Sequence, residues 1–168
     1  MVARSPVTRP IALTSLYEDL KKSGRTPKTE VLAFDTVRCP PEVETFYQID
    51  ADTQVLTFDR LRLADSTPVA LLHNIILTEL LEIKSEDLTQ NGLYEIFRRN
   101  GIIPHSATQK IGACKADANE AALLDIKLAD PLLTAIRYTY DVNGRPIEYG
   151  FHRYPAESYT LETVMLAR

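Results

Sequence analysis

Apolar positions recur along the chain in two rhythms, one of period near 3.6 and one of period two, and their order sets the list of elements. In Thr14 to Gly24, Leu16 and Leu20 stand four apart, Ser15-x-x-Glu18 has capping-box spacing, and Lys21 and Lys22 precede Gly24, which predicts a short surface helix. Thr29 to Cys39 is rich in β-branched residues and partly alternating, which predicts a strand. Pro40 and Pro41 end it and can open a helix through Glu42 to Gln48. Gln54 to Leu63 and Pro68 to Leu77, joined by the polar Ala64-Asp65-Ser66-Thr67, read as a long hairpin. Leu88 to Asn100, with Leu93, Ile96 and Phe97 on one face, predicts a single helix closed by Gly101. Gln109 to Ala116 reads as a strand and Asp117 to Leu124 as a helix with Asp117 as N-cap. Leu132 to Asp141 and Pro146 to Tyr154 form a second hairpin around Asn143-Gly144, and Thr160 to Leu166 makes a last strand. Hairpins interleaved with helices favour an α+β class, a mostly antiparallel sheet with flanking helices, over a parallel βαβ fold.

Composition narrows the functional classes. The 168 residues suit one domain with a sizeable core, and 45% hydrophobic with 25% charged residues is ordinary globular composition. A net charge of -4 supplies no basic excess for DNA phosphates, so this piece is expected to bind nucleic acid poorly by itself. Cys39 and Cys114 lie far apart without a His at ligand spacing, which argues against a zinc site or disulfide framework and for a reducing cytoplasm. No apolar run approaches a membrane span or a signal segment. Residues 1–11, with Pro6 and Pro10 and no periodicity, read as a flexible N-terminal segment or linker, leaving 12–168 as the domain.

Spacing also brings polar groups together. Strand alternation puts Leu56, Phe58, Arg60, Arg62 and Ala64 on one face, so two guanidiniums stand in line among apolar neighbours. Their forked donors suit phosphate or carboxylate, but the spacing by itself favours a solvated charged strip or salt bridges to a neighbouring strand. Glu148, His152 and Tyr154 share a face of the return strand, where a carboxylate and a phenol could serve sugar hydroxyls or an amine. His73, in an apolar strand, reads as a hydrogen-bonded sheet residue, His105 as exposed loop, and Tyr159 as a core or dimer-interface aromatic. No histidine joins a nucleophile and an acid at motif spacing, so no catalytic group is assigned; nor is a phosphate loop, metal cluster or cofactor motif.

Several short stretches stand in a recognisable order: Gly24-Arg25-Thr26-Pro27 after the first helix, Arg60-Leu61-Arg62 with Ala64-Asp65 and Pro68-Val69-Ala70, and Gly92-Leu93-Tyr94 opening a helix. Ala116-Asp117-Ala118 with Glu120-Ala121-Ala122-Leu123-Leu124 follows, then Tyr140-Asp141-x-Asn143-Gly144-x-Pro146-Ile147-Glu148. From about Leu13 to the C-terminus this order resembles the UTRA effector-binding domain of GntR-type bacterial transcription regulators, in their HutC subfamily. The resemblance implies a chorismate lyase-like fold, a homodimer, a small anionic effector such as a sugar phosphate or organic acid, and DNA contact only through a winged helix-turn-helix domain outside this sequence. It implies a regulator rather than an enzyme, the shared fold leaving a chorismate lyase-like activity on a small anion as the alternative. Carried over residue by residue, the ligand positions are Arg60, Arg62, Gly92, Glu148 and Tyr154, with Ser15 able to add a hydroxyl beside its capping role.

Two departures bear on the ligand. Leu72 stands where sugar-phosphate-binding relatives tend to carry a glutamate, and Gly92 where they carry a serine. The first removes an acceptor and the second a hydroxyl, though Gly92 would keep its N–H at a helix start. The expectation is an anion site with a less polar pocket than its relatives have.

Overall fold

The computed structural model describes residues 7–10 and 12–168. Strand β1 (Val7–Pro10) leads to helix α1 (Leu16–Lys22), strand β2 (Pro27–Arg38) and helix α2 (Pro41–Tyr47). The first hairpin is β3 (Gln54–Ala64) and β4 (Thr67–Leu77), followed by two short helices, α3 (Ser85–Gln90) and α4 (Leu93–Arg99). Strand β5 (Pro104–Lys115) and helix α5 (Ala118–Leu124) precede the second hairpin, β6 (Pro131–Asp141) and β7 (Pro146–Pro155), and a 3-10 turn leads into β8 (Tyr159–Glu162).

Six strands form one antiparallel sheet in the order β2-β3-β4-β7-β6-β5, while β1 and β8 pair in parallel as a separate ribbon. Side-chain parity assigns the helices to faces, because alternate residues of a strand point to opposite sides. Leu56, Phe58 and Ile76 pack with Leu88, Leu93, Tyr94 and Phe97 of α3 and α4, and Ala64, Ala70 and Leu72 pack with Leu16 and Leu20 of α1. The opposite parity carries Val55 and Ile75 against Val43 and Tyr47 of α2, and Leu61 and Leu71 against Ala121 and Leu124 of α5. β3 and β4 are thus covered on both sides, which is why both are buried at most positions and β4 is apolar along most of its length rather than alternating. The expected class, antiparallel sheet with flanking helices, is the observed one.

The turns follow local chemistry. Asp65 and Ser66 take φ of 49° and 71°, a two-residue hairpin turn in which Asp65 is held by the Arg25 side chain and the Thr26 amide. In the second hairpin Gly144 takes φ of 77°, where a side chain would be strained, and the Asp141 carboxylate accepts from the Asn143 and Arg145 amides.

Four expectations change. The single helix over 88–100 is two: the backbone extends at Asn91, and Gly92 begins α4 where a Cβ would lie 3.1 Å from Tyr17 Cβ. Close packing of α1 across this point breaks a periodicity that continues on both sides of it. β5 starts at Pro104 rather than 109, so His105 is exposed but in a strand. The last strand ends at Glu162, and residues 163–168 carry no regular structure. Within the segment read as a linker, Val7–Pro10 is a strand whose partner, β8, lies about 150 residues away in sequence, beyond the reach of local pattern. Residues 1–6 and 11 fall outside the described residues.

Candidate functional site

One face of the sheet carries polar side chains in cross-strand rows beneath α1 and α4. Register sets Arg60 opposite Leu72, Leu72 opposite His152, and His152 opposite Ala135. The neighbouring row runs Phe58, Asn74, Gly150, Arg137, and Glu148 lies opposite Thr139. Gly150 has a spatial role here, since a Cβ would come within 2.8 Å of His152 Nε2 and 3.1 Å of Glu148 Oε1. Above this floor a cavity of about 30 Å³ is lined by Ser15 and Leu16 of the α1 start, Leu93 and Tyr94 of α4, and Arg60, Arg62, Leu72, Arg137, Glu148, His152 and Tyr154 of the sheet. That space suits about two water molecules.

Both β3 arginines are buried, Arg60 3% and Arg62 2% exposed, which overturns the solvated-strip reading of their spacing. Arg60 Nη2 donates to Asn74 Oδ1 at 2.6 Å, and Arg62 Nη1 donates to Thr29 Oγ1. Among the described residues Arg60 Nε and Nη1 and Arg62 Nε have no hydrogen-bond partner. Aromatic faces lie beside them, Phe58 5.2 Å from Arg60 and Tyr17 5.0 Å from Arg62. Burial pulls the Arg60 pKa down to about 10 against the pull of Glu148, and burial together with the Arg60 charge pulls Arg62 down to about 9. Both stay cationic at neutral pH.

Glu148, 2% exposed, is surrounded by donors: Asn74 Nδ2 at 2.7 Å, Tyr94 Oη at 2.9 Å and Thr139 Oγ1 at 2.8 Å. Asn74 therefore joins Arg60 to Glu148 without a direct ion pair. Arg137 completes the set: Nη1 donates to the Thr14 carbonyl at 3.1 Å and to Tyr94 Oη at 3.2 Å, while Nε and Nη2 reach Gln109 Oε1. Burial opposes its charge, but Tyr94 and Glu148 hold its pKa above the ordinary guanidinium value. Three guanidiniums thus face one carboxylate around a small cavity. The arrangement can bind and orient an anion electrostatically.

A sequence profile described as the UTRA domain matches residues 22–160. The chain belongs to the UTRA domain family. Over 149 residues it is 30% identical to the HTH-type transcriptional repressor NagR of Bacillus subtilis (strain 168), the match covering 88% of this chain and 61% of that protein. The structure of a candidate transcriptional regulator from Streptomyces coelicolor is 37% identical, with a TM-score of 0.78 over 86% of this chain and 96% of that one. The effector domain of PhnF from Mycobacterium smegmatis, 24% identical, shares the fold with a TM-score of 0.87, covering 96% of this chain and all of that one.

In this UTRA domain five of the six positions carried over by resemblance line the cavity: Ser15, Arg60, Arg62, Glu148 and Tyr154. Gly92 stands behind it at the α1–α4 contact, its absent Cβ 3.3 Å from Ser15 Oγ, while the adjoining Leu93 and Tyr94 reach the cavity. The lack of a side chain at Gly92 lets the start of the seven-residue α4 pack closely on Ser15 and Tyr17. Ser15 holds a full capping box with Glu18 and also lines the cavity. Leu72 lines it as an apolar wall, as its place in the sequence suggests. His73 pairs with Asp59 across β3 and β4 at 2.8 Å on the other parity, away from the cavity, and Tyr159 stacks on Tyr154 with centroids 3.9 Å apart. Sequence reasoning missed Arg137, Thr139 and Asn74. Part of their signal was present: Asn74 stands among the apolar inward positions Ala70, Leu72 and Ile76 of β4, whereas Arg137 and Thr139 share the buried parity of β6 with Ala135 and with another polar residue, Asp141.

Proposed function

We propose that this UTRA domain senses a small anionic metabolite, a sugar phosphate or organic acid, for a GntR-type transcription regulator. The observation that carries the reading is the pair of buried guanidiniums with unpartnered nitrogens facing one cavity, because burying unpaired charge is costly unless an opposite charge repays it. The names of its relatives support the regulatory setting. The chain spans 61% of the length of the NagR it matches. On this reading DNA contact falls to a helix-turn-helix domain of the whole protein, acting as a cytoplasmic homodimer. Leu72 favours an effector with an apolar part beside its anionic group. To alter operator binding, the effector need prefer one arrangement of the dimer by only about 1–3 kcal/mol.

We read the domain as a sensor rather than an enzyme because Glu148, the acid nearest the arginines, is already engaged by three donors that suit an organising role. Turnover of chorismate on incubation would overturn that preference. The binding reading is tested by calorimetric titration with inorganic phosphate, phosphorylated sugars and organic acids against wild type, Arg60→Ala and Arg62→Ala. Loss of a charge-assisted contact should weaken binding about 10- to 100-fold in each variant. Equal affinities in all three proteins would sink the assignment.

A further inference from the structure

Arg137 does more than add charge to the cavity, because its hydrogen bonds leave the site in two directions. Through Nε and Nη2 it is anchored to Gln109 on the neighbouring edge strand, and through Nη1 it holds both Tyr94 and the main-chain carbonyl of Thr14. Thr14 is the last residue before the α1 cap, and the next two residues, Ser15 and Leu16, form a wall of the cavity. One guanidinium therefore joins the floor of the site to the segment that connects β1 to α1.

The walls differ in how they can yield. The floor is fixed in a six-stranded ladder, and Tyr94 is bonded to Glu148 and packed among Leu93, Ile96 and Phe97. The α1 wall belongs to a seven-residue helix that packs Leu16 and Leu20 on the sheet and is otherwise tied by Tyr17 Oη to the Gln90 carbonyl, by the Glu18–Arg98 pair, and at its entrance by Arg137. An effector much larger than about two waters needs more room than the cavity has, and of the two helical walls α1 is the one whose entrance is tied to the floor through Arg137, whereas Tyr94 of α4 is also bonded to Glu148. The entrance bond is also the one an anion contests. Hydrogen bonds to an ionised acceptor are roughly twice as strong as those to a neutral carbonyl.

We propose that Arg137 is the positioning residue through which occupancy of the cavity reaches the segment entering α1: an anion held by Arg60 and Arg62 competes with the Thr14 carbonyl for Arg137 Nη1, and the Thr14–Leu16 wall loosens when the anion wins. This rests on the anion reading above. The guanidinium is required for the bridge as well as the charge, since a lysine ammonium at this position keeps the charge but lacks the fork that spans Gln109, Tyr94 and Thr14 at once.

Hydrogen exchange of the amides of residues 14–19, with and without inorganic phosphate at constant ionic strength, reads the coupling, and calorimetry on the same samples reads binding. Four of these amides are held by hydrogen bonds: Thr14 to the Ala12 carbonyl, Ser15 and Glu18 within the capping box, and Asp19 to the Ser15 carbonyl. In wild type, phosphate should speed their exchange roughly tenfold, the equivalent of one lost hydrogen bond. Arg137→Lys alters a group that the anion contacts and should bind phosphate more weakly than wild type, yet residues 14–19 should exchange fast in it both without phosphate and at a phosphate concentration that saturates it. Phosphate binding to wild type with unchanged or slower exchange at 14–19 overturns the coupling alone, as does an Arg137→Lys protein that responds like wild type. Failure of phosphate to bind wild type overturns the anion reading and the coupling with it. The wild-type comparison stands whether or not the variant folds.

Discussion

Arg62 illustrates at the scale of one residue how a binding site is maintained against folding. Its guanidinium is 2% exposed, lies beside the Arg60 charge and has a nitrogen without a partner, so the folded protein carries a cost that only function explains. Replacing a buried charge with an apolar side chain of similar length is often neutral or stabilising. Arg62→Met should therefore leave the ligand-free protein as stable as wild type or about 1–2 kcal/mol more stable in urea unfolding, while phosphate binding is lost. A destabilisation of several kcal/mol would instead mark Arg62 as a structural group. Residues of this kind are partly legible in sequence. Two arginines two apart on an apolar strand are visible, but whether they face solvent or a cavity depends on which helix covers that face.

Among the elements, the β6–β7 hairpin shows a local sequence acting through one carboxylate. Asp141, 3% exposed, pays for burial, but the Arg145 and Asn143 amides and the Arg145 side chain hold its pKa below the usual carboxylate range. A depressed carboxylate contributes stability that is present above the unfolded-state value and lost as pH falls through the folded one. Asp141→Asn should cost about 1–2 kcal/mol at pH 7, and the difference from wild type should shrink toward zero as unfolding is measured at pH values falling below about 4. A pH-independent difference would place the effect in packing. This hairpin and the capping boxes of α1 and α5 were legible because their determinants lie within a few residues of each other. The break between α3 and α4 was not, because its cause is Tyr17, more than seventy positions away.

For the molecule as a whole, a ligand that binds only the folded state raises the melting temperature by mass action. With an anion at about one hundred times its dissociation constant the gain is about 2.7 kcal/mol, or roughly 5–10 °C for a domain of this size. Thermal melts with phosphate against chloride at equal ionic strength would measure it. The same rise in Arg62→Met would mean that the anion binds elsewhere on the surface.

The sequence by itself determined the antiparallel α+β class, both hairpins, the helix caps and the membership signalled by ordered motifs, since each rests on residues near one another in the chain or on the period of a single element. The tertiary structure alone decided that Arg60 and Arg62 are buried rather than solvated, that Asn74 and Thr139 bond Glu148 while Arg137 reaches it through Tyr94, that Gly92 lies at the α1–α4 contact, and that Val7–Pro10 finds β8. Those facts depend on strand order and on which helix lies over which face. Such contacts are non-local, and the alternation of one strand carries no record of its neighbours.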